Sequence, residues 1–215
     1  MAEDLYTHLM DGPTAESGPD PFDRHVLAAA IASGCLPPHR ALTESLALSP
    51  CDLARLIATV FPHAGALLDW QPPWPGPRDD EPEEPALRAL LYDNRTPGGD
   101  PDLARWLARI IARRSLGDRH LWEDLGLGAR ADLSRLMARH FGPLSERNQG
   151  MRWKKFFYRS LCEQEGVLLC KAPNCEVCED YALCFAPEEA IAGAGVLFGP
   201  ARTPAGGALA GDGAR

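Results

Sequence analysis

Cys170, Cys175, Cys178 and Cys184 follow the spacing C-x4-C-x2-C-x5-C, which places four thiol groups within fifteen residues. Four soft ligands so close together can converge on one metal centre, and whatever precedes them must support that loop. Thiolate sulfur selects zinc, copper(I) or iron–sulfur clusters over oxygen-seeking cations. Pro173 and the polar pair Glu179–Asp180 supply turns between the cysteines.

The spacing bears on which centre it is. Structural zinc usually takes two tight knuckles set well apart, whereas here only Cys175 and Cys178 form a tight knuckle and the other two flank it closely. The partial run C-x4-C-x2-C matches plant-type [2Fe–2S] ferredoxins, but their fourth cysteine lies far downstream. An iron–sulfur-type cluster is favoured, with a structural zinc site or disulfides as the alternatives.

The cysteines are odd in number, seven, and five of them lie between Arg152 and Phe185. The N-terminal run MAEDLYTHLMDG is acidic and has no basic region followed by an apolar core, so no secretory signal is expected. That usage points to metal or redox chemistry in a reducing cytoplasm and not to a disulfide scaffold. A net charge of −8 argues against a general nucleic-acid binder and against attraction to an anionic membrane. The longest apolar run, Val26 to Ala32, is too short to span a bilayer, which takes roughly 20 residues.

Apolar residues recur at helical intervals throughout and no alternating strand pattern appears, so the sequence predicts an all-α fold: a single helical domain with an appended C-terminal four-cysteine loop. Residues 1–20 are expected to be flexible. Residues 21–185 form the domain, and the Gly/Ala/Pro-rich residues 186–215 a mostly disordered tail. Helix starts are expected at Ser49–Pro50 and Asp100–Pro101, where a capping side chain precedes a first-turn proline. Leu53, Leu56, Ile57 and Val60 form one stripe, and Leu103, Trp106, Leu107, Ile110 and Ile111 another, with Arg105, Arg109, Arg113 and Arg114 left in water. Residues 71–85 hold six prolines and five carboxylates and are expected to form a solvated loop.

The last helix, about Gln149 to Glu165, divides into two arcs. Trp153, Phe156, Phe157, Ser160 and Leu161 occupy one, and Arg152, Lys155, Arg159 and Cys162 the other. The aromatic arc should pack. The cationic arc is either a solvated face or an anion- and partner-binding face serving the thiolates beyond it. Cys35, Cys51 and Cys162 stand outside the four-cysteine spacing and are expected to be inert. Dinucleotide, P-loop, nucleophile-elbow and zincin motifs are all missing, so the chain is not expected to be an enzyme.

The segments HLWEDLGL, ADLSRLMARHFGPL and MRWKKFFYRSLCEQEG, followed by the four-cysteine loop, resemble the NifQ family of nitrogen-fixation proteins. RWKKFFYR directly upstream of the cysteines is a long joint signature covering roughly the C-terminal third. The resemblance implies a cytoplasmic metallochaperone that carries a molybdenum–iron–sulfur cluster on Cys170, Cys175, Cys178 and Cys184. It further implies molybdate or another molybdenum source upstream, and nitrogenase cofactor-assembly proteins as acceptors for iron–molybdenum cofactor biosynthesis. His120 and His140 lie in matching segments and are candidate nitrogen ligands to molybdenum; their alternative task is hydrogen bonding near helix ends. The rival functions are an interaction module with structural zinc and an iron–sulfur electron-transfer protein.

Overall fold

The computed structural model describes residues 2–13, 19–35, 41–69 and 83–164. Among them the elements are helical and no strand is present, as the periodicity predicts. The helices are α1 (Ala2–Asp11), α2 (Pro21–Gly34), α3 (Leu42–Ser45), α4 (Pro50–Val60), α5 (Glu83–Asp93), α6 (Pro101–Ser115), α7 (Leu121–Asp124), α8 (Arg130–His140), α9 (Gly142–Ser145) and α10 (Trp153–Gln164), with a 3₁₀ segment at Pro62–Leu68. The cysteine loop 170–184 and the tail 186–215 lie outside the described residues, as do residues 70–82. No helix among the described residues is long and apolar enough to cross a membrane.

The centre of the fold is α2, which is buried on all sides. Its apolar residues from Val26 to Ala32 are essentially inaccessible, and small alanines at Ala28, Ala29, Ala30 and Ala32 let neighbouring helices approach closely. At Gly126 a side chain would meet the Ala29 carbonyl oxygen at 2.9 Å, and its φ of +75° closes the end of α7, so only glycine suits this approach.

Burial of α2 extends to three consecutive polar residues, Asp23, Arg24 and His25, each at most 4% exposed. Each must find a partner, because an unpaired buried polar group costs about 1–3 kcal/mol. Asp23 meets His140 and Arg139. The Arg24 guanidinium donates to the carbonyls of Leu9 and Gly12, both at 2.6 Å, and so caps the C-terminal end of α1. His25 Nδ1 lies 2.7 Å from the Tyr6 hydroxyl.

Residues 1–20 are expected to be flexible, and these contacts correct that expectation for Ala2–Asp11. Ala2–Asp11 is a helix whose Ala2, Tyr6 and Leu9 face the core, with Leu9 fully buried. Its order comes from α2, since a ten-residue helix is marginal by itself. The solvated loop expected at 71–85 is likewise corrected at its end. Glu83, Glu84 and Pro85 form the first turn of α5, where proline is tolerated because that turn has no N–H bond to lose.

Burial holds the His25 imidazole below its ordinary range, opposed by nearby Asp132 and reinforced by Arg135. With the folded-state value depressed, the unfolded chain binds more protons as pH falls, so His25 contributes stability that is intact above the unfolded value and lost progressively below it. Lowering the pH from about 7 to about 5 should therefore destabilise the wild type more than His25→Asn, measured as the difference in urea midpoint.

The capping expectations hold. Ser49 Oγ accepts from Asp52 N–H at 3.0 Å, and Asp100 Oδ1 accepts from Asp102 N–H at 2.8 Å. Leu53, Leu56, Ile57 and Val60, and the predicted stripe from Leu103 to Ile111, are buried. The four arginines expected to stay wet are all partly buried, and two of them are held by specific partners. The Arg113 side chain is 12% exposed and pairs with Glu84 at 2.8 Å. Arg114 donates to the Ala30 carbonyl at 3.1 Å and is pulled down to about 10 by burial.

Candidate functional site

Helix α10 leads directly toward the four cysteines, Cys170 following Gln164 by six positions, and its aromatic arc anchors it. Trp153, Phe156 and Phe157 are buried, with ring centroids 5.8–6.3 Å apart in tilted and edge-on pairs, and Ser160 is buried beside them. Leu161, expected on the same arc, packs only partly against the core.

The entry to α10 is fastened separately. Arg130 donates to the carbonyls of Gly150 and Met151 at 3.2 and 3.3 Å, and Asn148 donates to Met151 at 3.0 Å. Lys154 bridges Asp124 at 2.5 Å and the Gly117 carbonyl at 2.6 Å, tying the first turn of α10 to the region of α7. The helix therefore has its first two turns locked while its last turn, Glu163–Gln164, is exposed where the chain runs on to the cysteines.

The cationic arc has the geometry expected of it. Lys155 is exposed and Arg152 and Arg159 are half-exposed, on the side of α10 away from the aromatic cluster. Arg159 pairs with Glu163 at 2.8 Å one turn later, which moderates its charge. Cys162 shares this side and is half-exposed. Cys35 is partly buried, and its burial pushes the thiol up, opposed by Arg114, which disfavours the reactive thiolate.

His140 ends α8. Its Nε2 lies 2.7 Å from Asp23 Oδ1, and Arg139 Nε lies 3.2 Å from the other oxygen of the same carboxylate. An acidic residue in the first turn of α2 thus meets two basic residues in the last turn of α8, each placed favourably for its helix dipole. Sequence reasoning singled out His140 but not Asp23, which sits 117 positions away. His120 immediately precedes α7, and its backbone N–H donates to Glu123 Oε2 at 3.1 Å. Both histidines thus stand at helix ends.

Among the described residues no group of three or more His, Cys, Asp or Glu side chains could hold a metal ion. Cys170, Cys175, Cys178 and Cys184 lie outside those residues. His140→Ala should cost about 1–3 kcal/mol by leaving buried Asp23 with Arg139 alone. If His140 is only a clamp, the folded variant will keep its metal content; a metal loss exceeding the fraction unfolded would make it a ligand.

Several known proteins share this arrangement of sequence. The NifQ family model matches residues 26–186 and so spans all four cysteines. A NifQ homolog of Sinorhizobium fredii is 43% identical over 68% of this chain and 63% of its own length. NifQ of Azotobacter vinelandii is 50% identical over 52% of this chain and 55% of its own, and NifQ of Rhodobacter capsulatus is 43% identical over 68% and 79%. The chain therefore spans less than two thirds of the length of the first two of these relatives. No solved structure matches it. On the extent of the family match and the identities to these relatives, the chain belongs to the NifQ family.

Proposed function

We propose that this protein is a molybdenum carrier, not an enzyme. It holds a molybdenum–iron–sulfur cluster on Cys170, Cys175, Cys178 and Cys184 and supplies molybdenum to the proteins that assemble the nitrogenase iron–molybdenum cofactor. The observation that carries this reading is that the family match extends to residue 186 and takes in all four cysteines together with the helix that leads to them. The donor set fits the group, since four thiolates are the ligands that iron–sulfur clusters take.

Each part of the chain then has a task. The thiolates hold iron through soft sulfur, which requires a reducing compartment such as the cytoplasm. Anchored α10 fixes where the loop departs from the helical body. The arc of Arg152, Lys155 and Arg159 would offset thiolate and cluster charge and draw in molybdate or an acidic acceptor.

Purification without oxygen followed by metal analysis tests the proposal. A brown protein containing iron and molybdenum is expected. A colourless protein containing zinc would overturn it in favour of a structural zinc module, and a brown protein that takes up iron but never molybdenum would favour electron transfer.

A further inference from the structure

Helices α5 and α6 pack against each other across the short connection at 94–100, and their charged residues form an ordered series. On α6, Asp102, Arg105, Arg109 and Arg113 recur at intervals of three and four and make one half-buried stripe. On α5, Glu84 and Arg88 are one turn apart. The Arg113–Glu84 pair joins the end of α6 to the start of α5, so the helices are antiparallel. Arg88, one turn further along α5, therefore faces Arg109, one turn back along α6.

Among the described residues the two ends of the series are neutralised and the middle is not. Arg113 has Glu84 at 2.8 Å. Arg105 has Asp102 at 2.6 Å and Asp52 at 3.6 Å, and Arg55 also pairs with Asp102. Between these ends, Arg88 and Arg109 bring two like charges together, an arrangement that is destabilising in itself. The carboxylate that acts on Arg88 is Glu84, which Arg113 already engages. Arg109 makes one long bond, 3.4 Å, to the Ala47 carbonyl, which fixes its position without cancelling its charge. Burial depresses the Arg88 guanidinium, Glu84 opposes this, and Arg109 and Arg113 push in the same direction as burial, as expected of cations close together.

We propose that Arg88 and Arg109, backed by Arg113, bind a tetrahedral oxyanion of the class that includes molybdate, sulfate and phosphate. Two guanidinium forks present paired donors that suit such oxygens, and a dianion would neutralise both charges of the like-charged rung. Both residues are half-buried, which limits screening by water while leaving them open to a ligand. The site rests on the α5–α6 pair and not on the cysteines, so its failure would leave the proposed cluster untouched.

Calorimetric titration of the full chain with sodium molybdate, sulfate and phosphate in turn, at constant ionic strength set by chloride, tests it. Saturable binding of at least one of the three is expected, weakened at least tenfold in Arg88→Gln and in Arg109→Gln. The ranking of the three anions identifies which source the site prefers. In chloride alone Arg88→Gln should melt no lower than the wild type, because removing one charge relieves the like-charged rung. Binding indistinguishable from that of chloride, or equal binding by the wild type and both folded variants, would overturn the proposal.

Discussion

Replacing Cys170, Cys175, Cys178 or Cys184 by Ala, one at a time, is expected to remove most of the bound iron and the visible absorbance that accompanies it. In the proposed cluster each thiolate would supply a quarter of a four-sulfur set, and an iron atom deprived of one ligand would be exposed to water and oxidation. Cys162→Ala provides the control. It stands on α10, half-exposed and outside the spacing, so its replacement should leave iron nearly unchanged. Iron quantified per folded protein decides the matter, and equal loss from all five variants would remove the distinction between cluster ligands and bystander.

The second large effect is expected at Phe157, a fully buried ring in contact with both Trp153 and Phe156. Phe157→Ala removes most of a core aromatic side chain and leaves a cavity, which should cost about 3–5 kcal/mol. Against a typical domain stability of about 5–15 kcal/mol that is a large fraction of the total. Leu161→Ala on the partly buried end of the same arc should cost about 1 kcal/mol. The difference measures where α10 is held: a denaturant midpoint that falls sharply for Phe157 and little for Leu161 is expected from a helix locked at its start. Equal losses would mean that the last turn packs as firmly as the first.

What was legible in the sequence is what local chemistry dictates. Ser49–Pro50 and Asp100–Pro101 announce helix starts because the cap and the proline act within one turn. The stripes on α4, α6 and α10 follow from a period of 3.6 residues. What escaped depends on partners distant in the chain. The order of α1 comes from Arg24 and His25, which reach back to the Leu9 and Gly12 carbonyls and to Tyr6. Arg113 is drawn in by Glu84, a partner that emerges from a stretch whose prolines and acids look like solvated loop. For the same reason Asp23 shows no sign in the sequence of the role it plays for His140.

The candidate centre is legible to a different degree. The spacing of Cys170, Cys175, Cys178 and Cys184 singles out a candidate ligand set, because four soft donors in fifteen residues have few other uses. The wheel of α10 also separates the aromatic from the cationic side, as the burial of Phe156 and the exposure of Lys155 bear out. Spacing favours an iron–sulfur-type cluster but leaves zinc open, because zinc and iron both accept thiolates.

Delivery of molybdenum tests the carrier assignment most directly. The protein would be loaded anaerobically with labelled molybdenum, stripped of free molybdate and mixed with the acceptor proteins of nitrogenase cofactor assembly, and the label then counted in the acceptor. Transfer that persists in the presence of excess unlabelled molybdate, and that fails with the Cys175→Ala protein, is the predicted result. Label that reaches the acceptor only as free molybdate, and is abolished by the unlabelled excess, would contradict it.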